Sequence, residues 1–489
     1  MISKSESLIK GISSQTVVTI VMGVLSLVSF SLFSRILDKE IFGYFAALTA
    51  VLTIFQAFSD AGLGSAVIQK QDCSDSYYST AFSLGLIVSS VLAILLFLLA
   101  PCLSELVADE TICNPLRILS LLLITSSIES IGRAMMMKRL QFLKYGYFQI
   151  VSYLISYGLG IFLAIRGAGL YALVISALMN SFLLCVFLFT IGTSIPFLTI
   201  SKQDGYKIFN YGSWLTASVL VNQVTHQVDK LTLGKWLTVA SLGAYSRPST
   251  FINQITERIN NIFDTVLFPI LSSIQNNKDS IKGSFIRAIS ILNSFSSVLA
   301  FMLIVNSSLL VRIFFGEEWL ELVPIFQAVG VGVIFAVDQR LADCYFRSLA
   351  LVKLNFYIRC LCLILMFLAL FIGTKYDVLG TAIAVVASNI IATIIKTVVL
   401  CKKIQVSIIH VLRCFLLSFK ASLPLIGVWG CFFIFSDEMS ILPTILLCAF
   451  SVIIVVCEFV FFPKMVSAEY CELAKPYLSK MPNFFSVKK

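Results

Sequence analysis

The chain is 489 residues long, 58% hydrophobic and only 13% charged, where an ordinary soluble domain carries roughly 25% charged residues. A water-soluble globule of this length could not bury so much apolar surface, and the apolar runs are continuous where a transmembrane barrel would alternate. Composition therefore excludes a soluble enzyme, a disordered chain, a disulfide scaffold and a β-barrel, and leaves an all-α integral membrane protein. The excess of 36 Lys and Arg over 26 Asp and Glu is what cytoplasmic loops of a polytopic protein collect, so no nucleic-acid partner is expected. The 13 cysteines lie mostly in apolar runs with no CxxC or Cys/His spacing. They read as small buried side chains, and neither a metal site nor a cofactor is expected.

About fourteen segments are long and apolar enough to span a bilayer. The first six are Ile12–Ser34, Ile41–Phe58, Thr80–Ala100, Pro115–Met136, Tyr147–Ile165 and Gly169–Thr190. The next six are Tyr211–Leu231, Leu242–Phe268, Phe285–Val305, Leu322–Phe346, Phe356–Thr374 and Gly380–Leu400. Cys414–Phe435 and Ile441–Phe462 close the series. The first has no A-x-A-like site behind it, so it reads as a span and not a cleaved signal.

With the N-terminus inside, about two thirds of the 36 basic residues fall in cytoplasmic segments, Arg133, Arg359 and Lys396 among them. The positive-inside rule then puts both termini in the cytoplasm. The longest connection, Ile191–Asn210, is too short to house an extramembrane catalytic domain.

The halves resemble each other. Ser34-Arg35-Ile36-Leu37 with Gly43 aligns with Gly234-Lys235-Trp236-Leu237 with Gly243, and Gly169–Ser176 parallels Gly380–Ser388. Six spans per half predict parallel repeats about an axis along the membrane normal, a design transporters use around a central cavity. The expected organisation is an N-lobe over 1–192, a C-lobe over 193–404, and two extra helices with a cytoplasmic tail over 405–489.

Ionisable groups inside a bilayer are costly and mark cavities or pathways. Span 8 carries Arg247, Thr250, Gln254, Glu257, Asn261 and Asp264 at steps of three and four, one face of a helix, widened by Arg258. Span 7 offers Ser218, Asn222, His226 and Asp229; span 2 offers Thr49, Thr53, Gln56 and Asp60; span 10 offers Asp338, Gln339, Arg340 and Asp343. Glu129 and Arg133 are spaced i, i+4 on span 4, a pattern equally suited to helix-to-helix glue. Arginine's planar fork suits phosphate, so Arg247, Arg258 and Arg340 are candidate ligands for a pyrophosphate. Gln254, Asn261 and Asn222 are candidates for sugar hydroxyls. Glu257 and His226 join them as cavity groups, and the carboxylates are candidate sites for H⁺ or Na⁺.

Ser34-Arg35-Ile36-Leu37, Phe42-Gly43 and the run Asp60 to Lys70 form one set of motifs. Gly212-Ser213-Trp214-Leu215, Asp229-Lys230, Gly234, Leu242 to Arg247, Val266 to Pro269 and Phe315 to Trp319 with Pro324 form another. In order and spacing they resemble the bacterial polysaccharide-export flippases, the O-antigen and colanic-acid exporters, of the superfamily that also holds the multidrug and toxic-compound extruders. The resemblance implies two six-helix lobes plus two helices in the bacterial inner membrane, moving an undecaprenyl-pyrophosphate-linked oligosaccharide repeat unit by alternating access. It also implies an ion gradient or the membrane potential as the drive, and polymerase and chain-length proteins of the same pathway as partners. Arg247 matches a family position on span 8, and Arg35, Asp60 and Asp229 match positions near span ends; with Asp338 and Asp343 they are the gating or coupling candidates. A cation-coupled multidrug extruder and a lipid II flippase remain the alternatives.

Overall fold

The computed structural model describes residues 4–60, 75–107, 109–139, 141–192, 198–262, 267–275, 277–435, 446–447, 450–455 and 457–458. All regular structure among them is helical. The first six long helices are α1 (Lys4–Ile36), α2 (Lys39–Asp60), α3 (Asp75–Val107), α4 (Cys113–Lys138), α5 (Phe142–Ile165) and α6 (Leu170–Phe187). There follow α7 (Lys202–Trp236), α8 (Val239–Ile262), the short α9 (Phe268–Ile274), α10 (Lys278–Val305) and α11 (Ser307–Phe314). The series continues with α12 (Val323–Ser348), α13 (Val352–Gly373), α14 (Asp377–Ile404), α15 (Ile408–Ser418) and α16 (Leu423–Phe435).

Ten stretches are long and apolar enough to cross a membrane, and one of them, Val352–Ile404, holds both α13 and α14. The chain is thus a multi-pass membrane protein. The helices α7 and α8 fall below that hydropathy threshold because of the polar stripes read from the sequence. The count of fourteen is not reached, since the segment expected over Ile441–Phe462 lies largely outside the described residues. So do the run Ala61–Lys70, Val266 and the C-terminal tail.

Local chemistry sets the helix ends. Asn277 caps α10 by accepting a hydrogen bond from the Ser280 backbone N–H at 3.1 Å, which satisfies one of the donors a helix start leaves open. Gly167 and Gly169, at φ +83° and +55°, turn the chain between α5 and α6 in a region where a side chain would be strained.

The repeat is written in the helix boundaries. The first helix ends at Ile36 and α7 at Trp236, while α2 begins at Lys39 and α8 at Val239, a shift of 200. Farther on, α4 spans 113–138 and α12 spans 323–348, and α5 begins at 142 and α13 at 352, a shift of 210. The extra turn-lengths fall where α11 stands.

The chain divides into two compact units: 1–247 with 314–316, and 248–313 with 317–489. Within the first, α7 packs against α2 and α3, α4 against α3 and α6, and α5 against α1 and α6. Packing thus divides the chain inside α8, at the Arg247–Pro248 bond, although the helix ladder repeats from α7 onward. In the second unit α12 lies against α10 and α14, and α13 against α14. Its core gathers Phe285, Leu341, Tyr345, Phe346 and Leu400. The helix α10 buries Ser290, Asn293, Ser294, Ser296 and Ser297. Ser297 donates to the Ser418 carbonyl at 3.1 Å, and Ser422 donates to the Ser297 hydroxyl at 3.3 Å. Trp429 Nε1 bonds Ser451 Oγ at 3.0 Å.

In the first unit the opening turns of α2 and α8 cross reciprocally. A Cβ on Gly43 would overlap the Val239 carbonyl, and one on Gly243 would overlap the Lys39 carbonyl. These pairs are related by the shift of 200, so the close approach is the repeat meeting itself. Replacing Gly by Ala inside a helix usually stabilises, but overpacking backbone against backbone costs about 1–3 kcal/mol. Gly43→Ala and Gly243→Ala should each lower the Tm of the purified protein in detergent. Gly158→Ala, which meets nothing within 4 Å, should leave it level or raise it.

Candidate functional site

A polar cavity of about 220 Å³ lies in the first unit, lined by α2, α4 and α7. Thr53 and Gln56 face it from α2, Ser126, Glu129, Ser130 and Arg133 from α4, and Gln223 from α7. The spacing explains the lining. Thr53 and Gln56 are three apart, while Ser126, Glu129, Ser130 and Arg133 follow at three, four and seven, one side of a helix. Only Ala57 and Val219 interrupt the polar wall. Glu129 also accepts a hydrogen bond from the Tyr145 hydroxyl at 3.5 Å, and Gln149 Nε2 donates to the same hydroxyl at 3.3 Å. The wall therefore holds one acid and one base beside hydroxyls and carboxamides. It can offer a fork of N–H donors to an anion and amide or hydroxyl partners to a polyol.

The residues expected to form the site are distributed otherwise. The Arg247 guanidinium lies against two rings, 3.7 Å from the Phe30 centroid and 3.6 Å from that of Phe42. It donates to the Phe30 carbonyl at 3.0 Å and to the Ser34 hydroxyl. A cation held over aromatic faces and bonded to a backbone carbonyl is engaged by protein, so in this conformation Arg247 ties α8 to α1 and α2 and does not line the cavity. Asp229 is buried and accepts from the Tyr245 hydroxyl at 2.6 Å, which pins α7 to α8. Asn222 is half-buried, while His226, Glu257 and Arg35 are exposed; Gln254 and Arg340 are half-buried. The side chains of Asp60, Arg258, Asn261 and Ser218 lie outside the described residues.

In the second unit Asp343 joins a closed ion cluster. Its Oδ2 accepts from Arg359 at 3.1 Å and from Lys396 at 3.2 Å, and its Oδ1 lies 3.1 Å from Lys396 Nζ. The side chains are 8%, 13% and 6% exposed in the order Asp343, Arg359, Lys396. Arg359 and Lys396 are therefore interior groups and not cytoplasmic-loop charges, a correction to the charge count. Their buried acceptor on α12 explains why they tolerate the interior. At the shift of 210, Glu129, Arg133, Tyr145 and Gln149 correspond to Gln339, Asp343, Asn355 and Arg359. One corner of the repeat lines a cavity in the first unit and closes on itself in the second.

The cavity drew on stripes already visible in spans 2 and 4. Gln223 escaped because it stands one residue off the stripe of Asn222, His226 and Asp229. Tyr145 and Gln149 escaped because an isolated Tyr or Gln in an apolar helix carries no pattern.

A family model described as "Polysaccharide biosynthesis protein" matches residues 32–324. The lipopolysaccharide biosynthesis protein WzxC of Escherichia coli strain K12 is 24% identical over 408 residues, 82% of each chain. The teichuronic acid biosynthesis protein TuaB of Bacillus subtilis strain 168 is 22% identical over 339 residues, 69% of this chain and 70% of that one. Among solved structures, the lipid II flippase MurJ in an inward closed conformation superposes with a TM-score of 0.71 at 15% identity, covering 91% of this chain and 98% of that one. The multidrug transporter DinF-BH gives 0.57 at 14% identity over 82% and 96%. At such identities these two establish a shared fold.

Removing one partner from a buried ion cluster costs about 3–5 kcal/mol, because it strands uncompensated charge. Asp343→Asn should therefore lower Tm and yield sharply. Lys396→Met, which leaves an Asp–Arg pair, should cost less. Equal stability of Asp343→Asn and the parent protein would remove the cluster from the account of what holds this unit together.

Proposed function

Because the chain belongs to the polysaccharide biosynthesis protein family, we propose that it is a flippase for a lipid-linked glycan. It moves undecaprenyl-pyrophosphate-linked oligosaccharide repeat units across the bacterial inner membrane, and it is a transporter and not an enzyme. The observation that carries this reading is the polar cavity of the first unit, with Arg133 and Glu129 on one helix face and hydroxyls and carboxamides opposite. An arginine fork in a low-dielectric recess holds a phosphate group through charge-assisted hydrogen bonds. Thr53, Gln56, Ser126, Ser130 and Gln223 are suited to sugar hydroxyls. A cavity of about 220 Å³ is below the roughly 300–1,000 Å³ of pockets that enclose a drug-sized ligand. It thus has room for a phosphate or a single sugar ring of the substrate and not for the whole repeat unit, and the polyprenyl tail stays in lipid.

The orientation read from basic residues places both ends of the helix array in the cytoplasm. Thr53, Gln56, Glu129 and Arg133 then stand in the cytoplasmic halves of α2 and α4, the leaflet in which a lipid-linked glycan is built. Arg247, clasped by Phe30 and Phe42 in the outward halves of their helices, belongs in this reading to the closed outer end and not to the first substrate contact. Ligand-driven switching requires that the substrate bind one arrangement more tightly than another. Release of Arg247 to the phosphate in a second arrangement would supply that difference. Polymerase and chain-length proteins of the same pathway are the proposed consumers of the product. The extruder alternative shares the fold, but the family match and the named relatives favour a glycan.

A hydrogen bond to a charged group contributes about 1.5–3 kcal/mol, roughly 10- to 100-fold in affinity. In a strain lacking the gene, Arg133→Ala should restore surface polysaccharide at least about tenfold less well than the parent, at equal membrane abundance. Arg133→Lys should restore an intermediate amount. Normal polysaccharide from Arg133→Ala would remove this cavity from the transport path.

A further inference from the structure

Glu129 puts a carboxylate into a wall that otherwise suits a phosphate. It stands one helical turn from Arg133 on the same face of α4, which sets their Cβ atoms about 5–6 Å apart, and both line the cavity. An anion drawn to the Arg133 fork therefore also meets like charge. In the second unit the position at the shift of 210 is Gln339, whose Nε2 donates to the Asn389 carbonyl of α14 at 3.1 Å. A neutral amide is thus enough for helix-to-helix contact at this place in the repeat, and the negative charge belongs to the copy that has the cavity.

The carboxylate is held from behind. Tyr145 of α5 is 2% exposed and packs with Met136, Phe148, Leu184 and Leu188. Its hydroxyl donates to Glu129 Oε1 at 3.5 Å and accepts from Gln149 Nε2 at 3.3 Å. Neither Tyr145 nor Gln149 lines the cavity, so they touch Glu129 and not the occupant.

A carboxylate accepts hydrogen bonds from sugar hydroxyls, whereas an ionised phosphate oxygen has no proton to give it. A carrier lipid with its sugar presents O–H donors beside its last phosphate. Without the sugar it ends in a terminal phosphate, which lacks those donors and gains an oxygen that titrates near pH 6, as in phosphate monoesters. Repulsion from Glu129 grows with the charge of the ligand, and only the sugar-capped lipid offsets it. Specificity is a difference of affinities, and a repulsive element against the wrong ligand is one way to obtain it.

We infer that Glu129 is the specificity-determining residue of the cavity: it rejects the sugar-free lipid pyrophosphate and admits the sugar-capped one, with Tyr145 as its positioning residue. This rests on the reading of the cavity as the place where the substrate's phosphate or first sugar is received.

The test is binding of two lipids to the full-length protein in detergent, read from ligand-dependent shifts of Tm. The lipids are undecaprenyl pyrophosphate and undecaprenyl pyrophosphate bearing one glucose. The parent should bind the glucosylated lipid more tightly. Glu129→Gln, which installs the residue of the second copy, should fold and should raise affinity for the sugar-free lipid at least about tenfold, narrowing the ratio between the two. Tyr145→Phe keeps the ring in its apolar pocket. It should move the ratio the same way by less, and should add nothing in the Glu129→Gln background. A Glu129 that only joined helices would leave the ratio of the two lipids unchanged on substitution, and that result would overturn the proposal. An additive effect of Tyr145→Phe would overturn the part given to Tyr145. Arg133→Ala separates the two levels: it should weaken both lipids. If it weakens neither, the cavity reading falls and this inference with it; if it weakens both while Glu129→Gln leaves the ratio unmoved, the inference alone falls.

Discussion

Water is scarce in the interior of a bilayer, so every polar group carried inside must find its partner within the protein. That constraint organises this molecule. Its backbone is satisfied by helices throughout the described residues, and its charged and amide side chains resolve into a few closed arrangements. The carboxylate of Asp343 takes two cations, Asp229 takes a tyrosine hydroxyl, and Arg247 takes two ring faces and a carbonyl. Beside these closed arrangements stands a polar cavity wall that includes Glu129 and Arg133.

The repeat shows how one scaffold serves both outcomes. Positions related by the shift of 210 hold Arg133 and Asp343, Tyr145 and Asn355, Gln149 and Arg359. Charge is inverted at the first pair and moved to a neighbouring helix at the last. In the second unit the added Lys396 completes a cluster with no room for a ligand. In the first unit the corresponding corner keeps a hydrophobic neighbourhood with Cys185, whose thiol turns to the Thr125 carbonyl, and leaves Glu129 and Arg133 toward the cavity. Divergence of the two copies has left one corner lining a cavity and closed the other on itself, with helix ends kept at the shift of 210.

Much of this was legible in the sequence because the relevant signals are local. Helix type, helix ends and the repeat follow from apolar run lengths and from Gly43 and Gly243, whose shared position is a backbone matter. Thr53, Gln56, Glu129 and Arg133, from the stripes on spans 2 and 4, line the cavity, whereas from α7 the cavity takes Gln223, one residue off the span-7 stripe. What could not be read is which stripe faces which. Six polar positions on the expected span 8 look like a cavity face, but Arg247 meets Phe30 and Phe42, more than two hundred residues earlier in the chain. Likewise Arg359 and Lys396 lie within two or three turns of helix ends, where a charge count assigns them to loops. Only the position of Asp343 between them shows that they point inward.

The serine face of α10 has a bearing on how the protein is handled outside its membrane. The last helices are fastened to it by hydroxyl-to-carbonyl and hydroxyl-to-hydroxyl contacts at Ser297, Ser418 and Ser422, and to each other through Trp429 and Ser451. Such fastenings hold while solvent is kept away and weaken when a competing donor arrives. A small, loosely ordered micelle admits that competitor, whereas native lipid or a long-chain amphiphile does not. The polar part of the attachment of the C-terminal helices thus depends on how well the amphiphile keeps water from the α10 face, which apolar packing of Val298 against Ala421 and Leu425 helps to shield.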